Sequence, residues 1–484
     1  MASGLEHKVA SGVAWSFSEK LLTMVVQMVV SIIVARELMP EDFGVMAILT
    51  FFTSVALAIV DSGFSQALIR KQSPTAEEYA SVLGFNIVVS MLLYVLLLFL
   101  TPAIARFYDL AVISTVAPVL FLVLPINSLC VVQTVVFTRE FRFALISKIV
   151  FMASLISGIV AVVMAVMGCG IWSLVAQRLL MMGIKAIAFW FKSSWRTKSP
   201  MSLSSLKALA PFSLRLLATD LIASIYNNVA QLFIGKIYTP HQLGFYSQAQ
   251  KLKDLPVTST VQAVQGVTYP ALSSLKEDED KFRVGYVRIV GMLAFVIFPI
   301  MLGFVAIAPD MFMLLLGEKW MPTVPYFEIL ALSGLFYPLA MVSYNVLKAK
   351  SDGRVIVRLE VAKRIVMTLI LCYTIPRGIV AIAWGMTAMA VVEFLLNTLS
   401  AMRYMSLGVV TLGRALLPSL LLAVAMYFAL EAFNPYIAHL HIALRLLVDI
   451  LGGALLYIIC AWLFGLGVLK EVYTLLRSSL AKSE

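Results

Sequence analysis

The chain has 484 residues, of which 61% are hydrophobic and only 13% are charged, and its formal net charge is +11. Charged residues make up about a quarter of ordinary soluble proteins, so this composition excludes a soluble globular protein and predicts one that lives in a bilayer. The excess of positive charge calls for no nucleic acid, because membrane topology and anionic lipid account for it.

Apolar stretches long enough to cross a bilayer follow one another along the whole chain. About 20 residues are needed to cross a hydrocarbon core of roughly 30 Å, and short polar breaks separate the stretches. The pattern predicts an all-α polytopic membrane protein of about 14 transmembrane helices. The first is too long for a signal-peptide core and is expected to stay as an anchor. The predicted spans are residues 12–35, 42–62, 79–101, 112–136, 144–167, 171–191, 208–235, 243–270, 286–308, 324–347, 358–375, 379–401, 414–432 and 442–466.

The basic residues of the loops favour one side of the membrane. Of the 37 Lys and Arg residues, 25 fall in alternate loops, with Lys363 and Arg364 counted among them, and six fall in the loops between. The positive-inside rule then places both termini in the cytoplasm.

A turn near the N-terminus is repeated in pattern 200 residues later. Residues 32–45 read IIVARELMPEDFGV, and residues 232–245 read LFIGKIYTPHQLGF. Six predicted helices separate the two copies, and an even number restores the same direction across the membrane. The halves are therefore predicted to be parallel repeats, an arrangement typical of transporters. The matched pairs are Arg36 and Lys236, Pro40 and Pro240, Gly44 and Gly244, and, at an offset of 208, Gly170 and Gly378.

The repeat predicts three parts of the chain. Residues 1–200 form an N-terminal lobe of helices 1–6, and residues 201–405 form a C-terminal lobe of helices 7–12. Residues 406–484 add helices 13 and 14 and a cytoplasmic tail. In this arrangement a site between the lobes serves both sides of the membrane alternately.

Charged and polar side chains inside the predicted spans indicate a hydrated cavity. An ionised side chain facing lipid costs about 2.5 to 3.5 kcal/mol at mid-helix, so such residues are expected to face protein or water. For several of them a structural role is an alternative. The Lys20 side chain can snorkel to the membrane surface, Arg215 can lie at the membrane–water interface, and Asp61 can lie at the end of a helix that stops at Gly63. The predicted substrate-binding residues are Lys20, Arg178, Lys185, Arg215, Asn227, Asn228, Gln231, Tyr246, Lys251 and Lys253, and those predicted for ion coupling are Asp61, Asp220 and Asp254.

Several motifs that suggest other chemistry have simpler explanations. The four Cys residues are isolated, with no C-x-x-C spacing, and are interpreted as packing residues. His439 and His441 fall in a short loop, and residues 278–280 (Asp-Glu-Asp) form a solvated charge run. No phosphate-binding loop of the G-x-x-x-x-G-K-[ST] type occurs. We therefore predict no metal, no cofactor and no catalytic residue.

Six strings along the chain together resemble the polysaccharide-transport family, in the branch of the colanic-acid, amylovoran and teichuronic-acid exporters. Their order and spacing cover nearly the whole chain. They are SGVAWS at 11–16, VARELMPEDFGVMAI at 34–48, DSGFSQALIRK at 61–71, TREFRF at 138–143, YPALSSLK at 269–276 and LLLGEKW at 314–320.

The resemblance implies a bacterial inner-membrane flippase of the multidrug/oligosaccharidyl-lipid/polysaccharide exporter superfamily. Such a protein moves undecaprenyl-pyrophosphate-linked oligosaccharide repeat units to the periplasmic leaflet for exopolysaccharide assembly, by alternating access of a V-shaped fold through a cationic central cavity. Membrane lipids and polysaccharide polymerase or export machinery are the further partners expected. A peptidoglycan-precursor lipid flippase and a cation or drug antiporter of the same fold remain alternatives. A membrane enzyme is disfavoured, because no long outer loop is present to carry catalytic groups.

Overall fold

A computed structural model describes residues 22–61, 63–197, 199–274, 278–351 and 354–469, with backbone only for 262–274. The main elements of these residues are 18 α-helices and two short 3-10 helices, and residues 467–469 are also helical. The α-helices are α1 (residues 22–37), α2 (Pro40–Asp61), α3 (Phe64–Arg70), α4 (Ala76–Tyr108), α5 (Val112–Leu120), α6 (Val123–Arg139), α7 (Phe143–Val166), α8 (Ile171–Lys192), α9 (Leu203–Ile237), α10 (Pro240–Ser274), α11 (Glu279–Ala306), α12 (Ala308–Leu315), α13 (Val324–Ser333), α14 (Tyr337–Lys350), α15 (Arg354–Thr374), α16 (Ile379–Met405), α17 (Val409–Ile437) and α18 (Ile442–Leu463); the 3-10 helices are Glu318–Thr323 and Ile375–Arg377.

The all-helical membrane fold predicted from composition is confirmed. Within the described residues, 11 helical segments are long and apolar enough to cross a bilayer. The predicted spans at residues 12–35, 243–270 and 358–375 are not among them. Only part of the first span lies within the described residues, whereas α10 and α15 are helical over 35 and 21 described residues. Their sequences are rich in charged and polar residues, which distinguishes them from the other long helices.

Two predicted spans consist of two helices each. The span predicted at 112–136 breaks between α5 and α6, just before Pro125, and the span predicted at 324–347 breaks between α13 and α14, just before Pro338. Proline lacks a backbone N–H and clashes with the preceding turn, so it favours a new helix start over continuation.

The described residues fall into two compact units, divided between Gly244 and Phe245. Helix α9, assigned above to the second lobe, belongs to the first unit and packs on α2. The division into two lobes at residue 200, which concerns the parts that move during transport, therefore stays a prediction.

The two repeated turns lie against each other inside the first unit. A Cβ added to Gly44 would lie 2.0 Å from the carbonyl oxygen of Pro240, and one added to Gly244 would lie 1.9 Å from that of Pro40. Only glycine permits so close an approach of two backbones. The repeat seen in the sequence is thus also a reciprocal contact between the first turns of α2 and α10.

Arg139 fixes the short helix α3 in the first unit. Its guanidinium donates hydrogen bonds to the carbonyl oxygens of Leu68 at 3.0 Å, Ile69 at 3.1 Å and Gln72 at 2.7 Å. The last carbonyls of a helix have no partner within it, and one guanidinium supplies donors for several of them. Arg139, the first arginine of the TREFRF string, therefore has a structural role, because it holds α3 against α6.

A chain of buried hydroxyls joins three helices of the second unit. The Tyr286 hydroxyl of α11 lies 2.9 Å from Ser343 Oγ of α14, which lies 2.9 Å from Thr398 Oγ1 of α16. Hydrogen bonds between small polar side chains commonly hold membrane helices together. The bond network keeps α14 and α16 side by side, and these helices carry part of the site described next.

Candidate functional site

Charged side chains converge in the second unit on α15 and α16. Lys363 is almost completely buried, with 5% of its side chain exposed, and its Nζ lies 3.3 Å from Glu393 Oε1. Glu360 accepts a second hydrogen bond from the same ammonium group and also pairs with Arg364 at 3.4 Å. Glu360 lies three and four residues before its partners, a spacing that places them on one helix face. Lys363 is therefore held between carboxylates of two helices.

Helix α10 contributes an ion pair of its own. Lys253 Nζ lies 2.6 Å from Asp254 Oδ1, and the lysine side chain is 14% exposed. Asp254 also acts electrostatically on Tyr246, eight residues earlier on the same helix, whose side chain is fully buried. The predicted roles of Lys253 in substrate binding and of Asp254 in ion coupling stay predictions.

Two tyrosines of α14 connect these groups. The Tyr337 phenol is within electrostatic reach of Glu393, Asp254 and Glu360, that is, of acids from three helices. The ring of Tyr344 faces Lys363 Nζ at 5.4 Å from its centroid. We call the six ionised residues Lys253, Asp254, Glu360, Lys363, Arg364 and Glu393 the charge cluster.

The charge cluster contains three acids and three bases, so its formal charges balance. Taking an isolated charge out of water costs several kcal/mol, which close partners of opposite sign offset. Ionisable residues inside membrane bundles mark functional sites by default, because a purely structural contact could be apolar. The cluster brings together six such residues from α10, α15 and α16.

Unpartnered amides and a hydroxyl lie on α10, which carries part of the cluster, and on α14, whose tyrosines contact it. The Gln248 amide, the Tyr246 hydroxyl and the Asn345 Nδ2 are buried, and none has a hydrogen-bond partner among the described residues. Buried polar groups are ordinarily satisfied by protein or by water. These groups on α10 and α14 offer hydrogen-bond capacity that apolar packing does not need.

In the first unit two of the predicted acids interact electrostatically. Asp61 ends α2, accepts a hydrogen bond from Ser65 and acts electrostatically on Asp220 of α9. Gly63 permits this approach: a Cβ there would lie 2.8 Å from the Ser213 carbonyl oxygen of α9. Both carboxyl groups are exposed. Arg215, also exposed, lies one helical turn before Thr219.

The other predicted residues of the first unit are spread along α8 and α9. Arg178 is exposed, whereas Lys185 is half-buried with Nζ 5.4 Å from the ring centroid of Phe189. At the offset that relates Gly170 to Gly378, Lys185 corresponds to Glu393, so the two repeats carry opposite charges at this position.

The amide side chains of α9 differ in exposure. Asn227 is exposed, whereas Asn228 and Gln231 are half-buried, and Asn228 donates to the Ser224 carbonyl oxygen at 2.9 Å. In the second unit Lys251 is exposed. Lys20 lies outside the described residues.

Sequence reasoning missed Glu360 and Glu393, and it counted Lys363 and Arg364 with a cytoplasmic loop although both lie inside the predicted span 358–375. The structure places Lys363 and Arg364 in the middle of α15. Glu393 did carry a signal, because it is the single acid in the long apolar helix α16. Glu360 carried no such signal, because an acid three and four residues before two bases is typical of a helix face that contacts solvent.

Comparison with known proteins gives consistent relatives over nearly the whole chain. The chain is 24% identical to the teichuronic acid biosynthesis protein TuaB of Bacillus subtilis (strain 168), over 94% of this chain and 95% of the relative. It is 22% identical to the succinoglycan biosynthesis transport protein ExoT of Rhizobium meliloti (strain 1021), over 97% and 96%. The lipopolysaccharide biosynthesis protein WzxC of Escherichia coli (strain K12) matches at 21% over 72% and 71%.

Solved structures share the fold. The lipid II flippase MurJ in an inward closed conformation superposes with a TM-score of 0.76 and 14% identity, covering 93% of this chain and 98% of that one. An inward-facing multidrug resistance MATE family transporter of the MOP superfamily gives 0.61 and 15%, covering 79% and 94%. At these identities the likeness concerns the fold alone.

A family model completes the assignment. The model described as "Polysaccharide biosynthesis protein" matches residues 33–325, more than half of the chain. That region runs from the repeated turn at Pro40 to the start of α13 and includes α10 of the charge cluster. This chain belongs to that family of membrane proteins of polysaccharide biosynthesis and transport.

Proposed function

We propose that this protein is a flippase of the bacterial inner membrane with both termini in the cytoplasm. Its substrate is an undecaprenyl-pyrophosphate-linked oligosaccharide repeat unit, which it moves to the periplasmic leaflet for exopolysaccharide or related surface-polysaccharide assembly. Support comes from the family, from relatives named for teichuronic acid, succinoglycan and lipopolysaccharide biosynthesis, and from a fold shared with a lipid II flippase. Two parallel six-helix lobes would alternate between the two sides of the membrane.

The observation that carries the proposal is the composition of α10 and α15 together with the burial of Lys363. Both helices are long enough to cross a bilayer but are not among the apolar segments found in the described residues. Helices of this polarity have to face protein or water within the membrane. A polar interior of this kind is what transport of a hydrophilic headgroup requires, and a structural scaffold does not need it.

The chemistry of the cluster suits a pyrophosphate and sugars. A headgroup of this kind loses its hydration when it enters hydrocarbon, at a cost of several kcal/mol for each unsatisfied group. Lys253, Lys363 and Arg364 are candidates to replace water at the phosphates, and the phenols of Tyr337 and Tyr344 are candidates to contact sugars. The polyprenyl tail can remain in the bilayer throughout.

The residues predicted from the sequence complete the proposed path. We assign substrate binding to Lys20, Arg178, Lys185, Arg215, Lys251 and Lys253 and to the polar groups of Asn227, Asn228, Gln231 and Tyr246. Asp61, Asp220 and Asp254 are the candidates for ion coupling. The electrostatic interaction between Asp61 and Asp220 supports that role, because two neighbouring carboxylates favour binding of a proton or a cation.

The test is transbilayer movement of a labelled undecaprenyl-pyrophosphate oligosaccharide in proteoliposomes. We expect Lys253→Ala, Lys363→Ala and Arg215→Ala to slow movement by about tenfold or more, equivalent to ~1.4 kcal/mol in the barrier. Lys281→Ala is the matched control, since that side chain is 73% exposed and pairs with Asp278 at a helix start. Size-exclusion behaviour and melting temperature establish that each variant is folded.

Two outcomes would favour other functions. Movement of peptidoglycan precursor but of no polysaccharide repeat unit would identify a peptidoglycan-precursor flippase. Exchange of small cations for protons or sodium, with no lipid movement, would identify an antiporter. The acids of the charge cluster suit an antiporter, but its most buried ionised side chain is the base Lys363.

A further inference from the structure

Glu360 bridges two cations of the charge cluster. One of its carboxylate oxygens accepts a hydrogen bond from the Lys363 ammonium group, and the other lies 3.4 Å from the Arg364 guanidinium. All three residues lie on α15 at helical spacing, so the two cations are held side by side. A phosphate group binds lysine and arginine in the same manner, with different oxygens on different cations. The same two cations would hold a phosphate in the position that Glu360 occupies.

Helix α15 exposes the members of this bridge unequally. Lys363 is buried, whereas the side chains of Glu360 and Arg364 keep 34% and 30% of their surface exposed. The outer side of the helix is a row of apolar residues at four-residue steps, each more than half exposed: Val357, Val361, Ile365 and Leu369. Glu360 and Arg364 thus lie at the border between the outer side and the buried side. An incoming anion meets them before it reaches Lys363.

Lys363 has a second carboxylate partner, which makes Glu360 replaceable. Glu393 of α16 lies 3.3 Å from the same ammonium group and is 20% exposed. A buried ammonium group that loses all its partners is strongly destabilising, but Lys363 stays paired when Glu360 leaves. Glu360 is the more exposed of the two acids, so its carboxylate is the easier one to return to water. Glu393 is then the anchor of Lys363, and Glu360 is the exchangeable partner.

The charges around Tyr344 of α14 match a diphosphate once Glu360 has left. The Tyr344 ring faces Lys348 Nζ at 4.7 Å and Lys363 Nζ at 5.4 Å from its centroid. Arg364 and both acids act electrostatically on its phenol. Three cations therefore lie near this ring against two acids, and departure of Glu360 leaves an excess of two positive charges. A diphosphate that is esterified at both ends carries two negative charges, one on each phosphate.

These groups lie near the ends of α14 and α15 that the loop charges predict to be cytoplasmic. Glu360 is six residues from the start of α15 at Arg354, about 9 Å along the helix axis. Lys348 is two residues from the end of α14 at Lys350. Under the proposed function, a headgroup that enters from the cytoplasmic leaflet reaches this depth early on its path.

We propose, building on the flippase function, that Glu360 is an internal substitute for a phosphate of the substrate and that the diphosphate binds by displacing it. The Glu360 carboxylate moves into water, and the diphosphate oxygens accept hydrogen bonds from Lys363 and Arg364. Lys348 adds a further positive charge, and Glu393 keeps Lys363 in place. A phospholipid with a single phosphate charge matches only part of the positive excess, so Glu360 makes the site selective for a lipid diphosphate.

The test measures binding of farnesyl diphosphate, a short lipid diphosphate, to the full-length protein in detergent by isothermal titration calorimetry. Glu360→Gln keeps the size of the side chain but removes the competing charge, so we expect about tenfold tighter binding, equivalent to ~1.4 kcal/mol. Lys363→Met should weaken binding by about tenfold or more, because it removes the central cation. Binding of farnesol, which has the same tail and no phosphate, should be equal in all three proteins.

Glu279→Gln is the matched control. Glu279 also bridges a lysine and an arginine, with 3.2 Å to Lys350 Nζ and 3.4 Å to the Arg283 guanidinium, but it is 60% exposed and lies outside the charge cluster. This variant should bind farnesyl diphosphate within about twofold of the intact protein, since an exposed ion pair is well screened. A gain equal to that of Glu360→Gln would reflect a general loss of negative charge and would overturn the proposal.

A second measurement follows Glu360 in the intact protein and decides the matter if Glu360→Gln does not fold. A carbodiimide with an amine nucleophile labels carboxyl groups that water reaches, and peptide mass spectrometry locates the label. Farnesyl diphosphate should increase labelling of Glu360 and leave that of Glu393 unchanged, because only the displaced carboxylate moves into water. Equal or lower labelling of Glu360 in the presence of the diphosphate would contradict the exchange.

The remaining outcomes separate this exchange from the flippase function. If the intact protein binds farnesyl diphosphate through Lys363 but Glu360→Gln binds it no more tightly, the exchange is wrong and the proposed function is unaffected. If neither protein shows binding that depends on Lys363, both fail. If Glu360→Gln gains as much affinity for phosphatidylglycerol as for farnesyl diphosphate, an ordinary phospholipid is the occupant and the assignment to a lipid diphosphate is wrong.

Discussion

Replacing Lys363 and Glu393 singly and together measures how strongly the charge cluster holds α15 against α16. Removing one partner of a buried ion pair costs about 3 to 5 kcal/mol when no other partner remains. Glu393→Leu leaves Lys363 with Glu360, which is 34% exposed, so we expect a lower cost of about 2 kcal/mol. Lys363→Met leaves Glu360 and Glu393, which are partly exposed, without this partner and also removes the contact with Tyr344. We expect it to lower the free energy of unfolding by about 3 kcal/mol.

The double variant carries the information. An apolar pair of similar volume packs where the ion pair was, so the combined loss should be smaller than the sum by about 1 to 2 kcal/mol. The free energy of unfolding is measured for all four proteins in mixed micelles with a denaturing detergent. Additivity within about 0.5 kcal/mol would show that Lys363 and Glu393 do not interact, and the described cluster would be wrong at its centre.

Three further predictions concern the fold. Gly44→Ala places a Cβ 2.0 Å from a carbonyl oxygen of the facing turn and should lower the free energy of unfolding by about 3 kcal/mol or more. Gly183→Ala would meet nothing within 4 Å outside its own stretch of helix and should be neutral or stabilising; equal melting temperatures of the two variants would contradict the contact. Arg139→Lys loses the planar guanidinium that binds several carbonyl oxygens, and it should lower the free energy of unfolding by about 1 to 3 kcal/mol. Proteolysis at α3 that is no faster than in the intact protein would refute this prediction. Lys281 lowers the pKa of the Asp278 carboxyl below its usual 3.8, so the stabilising effect of Asp278 should be complete above about pH 5 and disappear as the pH falls toward about 2. Asp278→Asn should make the melting temperature fall less steeply over this range, and a profile like that of the intact protein would count against the prediction.

Much of the fold was predictable because hydrophobic length and proline position are strong signals. The repeated turns end one helix and start the next at the same offset, with α2 beginning at Pro40 and α10 at Pro240. The helix breaks before Pro125 and Pro338 were missed because both prolines lie inside continuous apolar stretches. Hydropathy describes side-chain polarity and does not reveal the backbone hydrogen bond that a proline removes.

The candidate site was predictable only in part. Lys253 and Asp254 could be singled out because charges in the middle of a long predicted span are conspicuous, and their functional roles stay predictions. Lys363 was missed because it lies near basic residues of a loop, and only the tertiary contact with Glu393, 30 residues later, reveals that it is buried. Contacts between helices that are distant in sequence do not appear in the local hydrophobic pattern, so that pattern could not have predicted the contact between Lys363 and Glu393.

The central claim is that the protein moves a lipid-linked oligosaccharide across a bilayer. The most direct measurement compares the intact protein with protein-free liposomes, using a labelled undecaprenyl-pyrophosphate oligosaccharide whose sugar can be modified only from outside. We expect the protein to make nearly all of the label accessible, against about half in liposomes alone, since lipid inserted at random is divided between two leaflets. Accessibility that stays at about half with folded protein and suitable donors would contradict the flippase assignment.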